Sequence, residues 1–188
     1  MAESKHILTA VVSNKPGVLN RIASLFRRRG FNIESLAVGH SEDPDMSRLT
    51  IVVAGADAVV EQVRKQLGKL IDVIRVVDIT QESHISRELV LIKVEATAAT
   101  RGEIIQIVDI FRANIIDVGQ ESLTIEVTGD GDKLDSLIEL LRGFNIKEIS
   151  RSGLLAMTRG GVAPLPVENS SEEPPRPQKI RPRSSNHA

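Results

Sequence analysis

Near the N-terminus, Ile7, Thr9 and Val11 alternate with Leu8, Ala10 and Val12, a pattern that predicts a buried strand. The turn Ser13-Asn14-Lys15-Pro16-Gly17 follows, and then Val18, Leu19, Ile22, Leu25 and Phe26 recur at helical spacing. Arg27, Arg28 and Arg29 suit the negative end of that helix, and Gly30 suits the residue just past it. Phe31 to Val38 resumes as a strand, a polar turn surrounds Glu42-Asp43-Pro44-Asp45, and Ser47 to Val53 forms the next strand. Asp57 is expected to cap a second helix carrying Val60, Val63, Leu67 and Leu70, with Glu61 and Lys65 paired along it. The β-branched run from Ile71 to Ile79 closes the unit. The order is β-α-β-β-α-β within about 75–80 residues, the split βαβ or ferredoxin-like arrangement.

The same order then returns. Glu88 to Ala96 reads as a strand, and Thr100-Arg101-Gly102-Glu103 has the form of a capping box. It opens a helix with Ile104, Ile107, Val108 and Phe111. Asn114 to Val118 is a strand, Gly119-Gln120-Glu121 a turn, and Leu123, Ile125 and Val127 alternate with polar neighbours. Asp132 is expected to cap a helix bearing Leu134, Leu137, Ile138 and Leu141, before a strand from Phe144 to Ile149 and an extended piece through Met157. Gly30-Phe31-Asn32-Ile33 is echoed by Gly143-Phe144-Asn145-Ile146. A glycine ending a helix ahead of a strand explains both copies. The reading is α+β: two tandem ferredoxin-like units, residues 4–80 and 84–159, and a tail over 160–188. Six of the eight prolines lie in that tail with few apolar residues, so it is expected to be disordered.

Composition narrows the chemistry. The 188 residues carry 24 Lys+Arg against 25 Asp+Glu, a formal net charge of −1, with no Cys, Trp or Tyr. There is no thiolate for a metal or a nucleophile. Balanced charge argues against general nucleic-acid binding, and four Phe supply little base stacking. An RNA-recognition domain shares the βαββαβ order but stacks bases on strand aromatics; here Phe31 is the sole aromatic of the first predicted sheet. No signal-peptide core and no apolar stretch of membrane-spanning length is visible, so a cytoplasmic protein is expected.

Catalytic equipment is sparse. His6, His40, His84 and His187 are scattered, and no GxSxG, P-loop or GxGxxG occurs. His40 near Glu42, Asp43 and Asp45 reads as a solvated turn, and Gly129-Asp130-Gly131-Asp132 as a turn with a helix cap. No catalytic residue, metal site or cofactor is expected on this chain. The informative feature is the first strand-to-helix turn. Main-chain N–H groups in a helix's first turn lack intrahelical partners and face the positive end of the dipole, a ready site for a carboxylate or phosphate. Gly17, without a Cβ, lets a ligand approach the main chain, and Asn32 could add an amide. The competing reading is that Pro16-Gly17 only shapes a tight turn.

Asn14-Lys15-Pro16-Gly17-Val18-Leu19 at that position resembles the effector turn of ACT domains, which bind amino acids between subunits. Longer strings carry a more specific resemblance: Gly30 to Leu36, Ser47 to Ile51, Lys65 to Val73, Arg87 to Val94, Phe111-Arg112, Ile115 to Val118 and Arg151-Ser152-Gly153. In this order, from about Lys5 to Gly160, they closely resemble the small regulatory subunits of acetolactate synthase, also called acetohydroxyacid synthase. The tail is not covered.

The resemblance implies a partner, a large catalytic subunit carrying thiamine diphosphate, magnesium and FAD that condenses 2-oxo acids in branched-chain amino-acid synthesis. It implies that the small subunit raises that activity, confers feedback inhibition, usually by valine, and pairs as a homodimer through its ACT unit. By motif position, Asn14, Gly17 and Asn32 fall where the family holds the inhibitory amino acid, with Lys15 and Pro16 completing the turn. Val18, Leu19 and Ile33 are expected to supply a small aliphatic pocket suited to a branched side chain. The alternative is a free-standing ACT sensor serving another enzyme, which would not require the second unit's strings.

Overall fold

The computed structural model describes residues 4–160, so the expectation of a disordered tail lies outside the described residues from 161 onward. The first unit contains β1 (Lys5–Ser13), α1 (Val18–Arg29), β2 (Ile33–His40), β3 (Met46–Ala54), α2 (Asp57–Leu67) and β4 (Val73–Asp78). The second contains β5 (His84–Glu95), α3 (Arg101–Ile110), β6 (Asn114–Val118), β7 (Ser122–Gly129), α4 (Gly131–Leu141), a 3-10 turn (Arg142–Phe144), β8 (Ile146–Arg151) and β9 (Leu155–Thr158). Sheet orders β2-β3-β1-β4 and β6-β7-β5-β8 are the same arrangement twice. The double βαββαβ architecture is therefore as expected.

Each unit packs its two helices on one sheet face. In the first, Leu8, Ala10 and Val12 of β1 and Leu49, Ile51 and Val53 of β3 meet Val18, Ile22, Leu25 and Phe26 of α1 and Val60, Val63 and Leu67 of α2. In the second, Val90, Ile92 and Val94 meet Ile104, Val108, Leu134, Leu137 and Leu141. Among the described residues no helix is long and apolar enough to cross a membrane.

Local details differ from the sequence reading where hydrogen bonds have a better partner. Ala56, not Asp57, holds the N-cap position of α2, and no side chain caps it; Asp57 instead places Oδ1 3.2 Å from His6 Nε2. No capping box forms at α3, because the Thr100 hydroxyl accepts the Thr97 N–H at 3.1 Å. Asp130, not Asp132, caps α4, accepting from the Lys133 N–H at 3.0 Å. After α4 the left-handed residue is Asn145 at φ 60°, not Gly143, so the glycine echo does not mark equivalent turns. Ile71 stands 89% exposed in the turn before β4 instead of opening that strand.

The sharpest departure lies in β5. Its first third leaves the second sheet and pairs with β9, from His84 opposite Thr158 to Arg87 opposite Leu155. That ribbon lies over the first sheet's outer face: the Leu154 N–H donates to Ser35 Oγ at 2.9 Å and the Ala156 N–H to Thr50 Oγ1 at 3.4 Å. Thr9, Val11, Thr50 and Val52 are thereby buried on a face that the helices do not reach. Gly153, at φ 82°, permits the close approach; a Cβ there would stand 3.1 Å from the Leu36 carbonyl oxygen.

Candidate functional site

α1 begins without help from side chains. Its N-cap is Gly17 at φ 86°, a left-handed conformation suited to glycine, and no side chain accepts from the first turn. Alone among the four described α-helices, α1 has no acidic residue in that turn; α2, α3 and α4 have Asp57, Glu103 and Asp132. The dipole's positive end is therefore not offset by a carboxylate of the helix itself. Pro16 has no N–H to offer, and a Cβ at Gly17 would meet nothing within 4 Å, so the surface over the turn is open.

The neighbouring side chains serve different purposes. The Asn14 N–H donates to the Asp45 carbonyl at 2.7 Å, and its side-chain amide donates to the Pro44 carbonyl at 3.1 Å and lies 3.4 Å from His40 Nδ1. Asn14 thus ties the effector-like turn to the β2–β3 hairpin, a link through His40 and Pro44 that linear spacing does not reveal. Lys15 and Pro16 are exposed. Val18 is only 4% exposed and belongs to the core, so it does not line a pocket over the turn as expected. Leu19, expected on the same apolar stripe, is 46% exposed. Ile33 is half-buried against the core, and Asn32 is exposed just before β2.

Topology separates the two asparagines. β3 is antiparallel to both β1 and β2, so β1 and β2 run parallel. Asn14 follows the C-terminal end of β1, whereas Asn32 precedes the N-terminal end of β2. Eight residues of β2 intervene, about 26 Å at 3.3 Å each. One protomer's Asn14 and Asn32 cannot hold the same small molecule.

β2 is also an unpaired edge strand. Leu36 and Val38 oppose the core residues Ile51 and Leu49 yet stay 39% and 43% exposed, like Leu19 on the adjacent helix. An uncovered edge with aliphatic side chains invites a partner. Among the described residues no group of three or more His, Asp or Glu is placed to hold a metal ion.

Comparison with known proteins adds the following. The family described as "Small subunit of acetolactate synthase" matches residues 87–160, and the "AHAS small subunit-like ACT domain" matches residues 8–75. The chain is 54% identical over 155 residues to the acetolactate synthase small subunit of Mycolicibacterium smegmatis, covering 82% of this chain and 91% of that protein. It is 53% identical over 160 residues to that of Mycobacterium bovis, covering 85% and 95%. The crystal structure of the acetolactate synthase small subunit from Thermotoga maritima superposes with a TM-score of 0.78 at 45% identity, covering 85% of this chain and 99% of that one.

Proposed function

The chain belongs to the family of acetolactate synthase small subunits, and from that premise we propose that it activates a catalytic subunit and makes it sensitive to valine or another branched-chain amino acid. The catalytic subunit would carry the thiamine diphosphate, magnesium and FAD. This chain would bring the effector site and the surface that transmits its occupancy.

The observation that carries the reading is the open first turn of α1 beside the uncovered edge of β2. Two-fold pairing of β2 edges runs the strands antiparallel, which sets the partner's Asn32 at the end of the sheet where Asn14 and Gly17 lie. The 26 Å separation within one protomer is then resolved by a second copy. An amino acid at that junction would direct its carboxylate to the amides of the turn and its amino or carboxylate group to an asparagine. Its branched side chain would lie against Leu19, Leu36 and Val38, which are small aliphatics with room for valine and no aromatic partner for Phe or Tyr. Because the site is completed by the dimer, effector binding favours one dimer geometry over another. The shift is limited to the effector's differential affinity for the two.

The test is a holoenzyme reconstituted from both subunits. Gly17→Asp sets a negative charge where the effector carboxylate would sit, and Asn32→Ala removes the amide. Combined, they are expected to weaken valine inhibition by at least about tenfold, equivalent to 1.4 kcal/mol of binding, while activation persists. Unchanged valine sensitivity would overturn the site. A stable monomer at micromolar concentration in light scattering would overturn the dimer.

A further inference from the structure

A cavity of about 320 Å³ lies between the two units, lined by the β5–β9 ribbon and by β2 and β3 of the first sheet. The ribbon side is aliphatic with one cation: Ile85, Leu155 and Met157 are 44%, 58% and 61% exposed, and Arg87 stands opposite Leu155 in the same ribbon. The side formed by the first sheet adds Arg48 and His40. No carboxylate lines it. Arg48 has only a loose pairing at 3.8 Å with Glu42, itself 64% exposed. Arg87 donates to the Ser86 carbonyl at 2.7 Å, and the adjacent Glu88 pairs with Arg151 instead. Two guanidiniums bordering one concavity that no carboxylate lines favour an anion, and the aliphatic side chains gain by covering.

Gly39 adds an independent indication. It lies opposite Arg48 in the sheet with an ordinary strand backbone, and a Cβ there would meet nothing within 4 Å. The fold does not need glycine at this position, and a β-branched residue would suit a strand better. What the bare backbone provides is space within the groove.

We propose that this inter-unit groove is a binding site for a short aliphatic monocarboxylate without an ammonium group, its carboxylate between Arg48 and Arg87 and its chain along Ile85, Leu155 and Met157. The volume is at the small end for ligand pockets, which run from about 300 to 1,000 Å³, and this excludes larger acyl conjugates. The lack of an acidic lining residue disfavours a zwitterionic amino acid, whose ammonium would go unpaired. The groove is therefore chemically distinct from the effector turn, although His40 touches both.

Two methionine methyls allow the sites to be followed separately: Met157 borders the groove, and Met46 pairs with Ser13 beside the effector turn. The full-length chain, labelled at its methionine methyls, is titrated with 4-methylpentanoate and, in parallel, with leucine, which has the same branched skeleton plus an ammonium. The Met157 resonance is expected to shift saturably with 4-methylpentanoate, and leucine should act there at least about tenfold more weakly. Gly39→Val, and separately Arg48→Gln with Arg87→Gln, should weaken the response by about tenfold or more without lowering the melting temperature appreciably. The response should persist in Gly17→Asp, so failure of the effector reading leaves this one standing. No saturable shift at millimolar ligand, equal potency of leucine, or an unchanged response in Gly39→Val overturns the proposal. So does a finding that Gly39→Val abolishes binding of the catalytic subunit while the wild-type groove ignores 4-methylpentanoate; the occupant would then be a protein segment.

Discussion

At the first strand-to-helix junction of the N-terminal unit, Asn14-Lys15-Pro16-Gly17 leaves the α1 amides facing outward, with no acid or cap over them. At the matching junction of the C-terminal unit, Thr97 and Thr100 bond each other's N–H groups. The Arg101 guanidinium there donates to the carbonyls of Gly119 and Gln120, both at 2.8 Å, and of Ala96 at 3.3 Å. One topology thus yields an open, uncapped turn in one copy and a closed, self-satisfied turn in the other. The outer sheet faces diverge as well. The first has Thr9, Val11, Thr50 and Val52 buried, whereas the second displays Lys93, Thr124, Glu148 and Ser150 around a shallow groove. Duplication of a fold does not duplicate its turns; the residues at each junction decide whether the helix's first amides are left open or covered.

The largest test of this asymmetry is a charge placed on each outer face. Val52 is buried on the first sheet's outer face between Ile7 and Ser35 of the neighbouring strands, and Val52→Asp leaves a carboxylate there with no cation opposite it in the sheet. A loss of about 3 kcal/mol or more is expected in urea denaturation. Leu91→Asp, on the open face of the second sheet, should cost less than about 1 kcal/mol. Equal losses would mean that the ribbon does not seal the first face in solution.

A smaller effect separates the two turns. Arg101→Ala removes the donor shared by three carbonyls and is expected to destabilise the second unit by about 2 kcal/mol. Asn14→Ala removes one exposed amide bond to Pro44 and should cost under about 1 kcal/mol. Reversal of that order would show that the first turn, not the second, is the more tightly built.

How much of this could be read from the chain depends on the range of the interaction. Helix faces such as Ile22, Leu25 and Phe26 follow from spacing, because burial on one side imposes the period directly. The turn at Pro16-Gly17 was legible because backbone conformation is local. Val18 and Leu19 were not distinguishable: both fit the apolar stripe, and only the packing of α2 and the sheet determines that Val18 is covered and Leu19 is not. Separation of Asn14 from Asn32 depends on strand direction, which the spacing between them does not encode. The β5–β9 ribbon was hidden for a related reason. Glu88 to Ala96 carries the apolar alternation, while His84 to Arg87 joins a different partner that lies some 70 residues later in the chain.

The smallest expected effect concerns acid, and it uses a contact between β1 and β4. Burial alone would raise the Asp78 carboxyl, but hydrogen bonds from the Thr80 hydroxyl and N–H and from His6 outweigh it and hold it below its usual 3.8. His6 is buried and reaches Asp78 Oδ2 at 3.1 Å on one ring nitrogen and Asp57 on the other. A carboxyl depressed in the folded state adds stability that is complete above its unfolded pKa and disappears as pH falls through the folded one. Asp78 should therefore contribute fully above about pH 5 and lose its contribution progressively below about pH 4. Asp78→Asn keeps an acceptor for Thr80 but not the charge, so it should cost at most about 1 kcal/mol at neutral pH. Urea midpoints measured across pH should show the gap between wild type and Asp78→Asn closing as acid is added. A gap that stayed constant, or widened, would show that the contact acts through packing alone and that the first unit's acid sensitivity originates elsewhere.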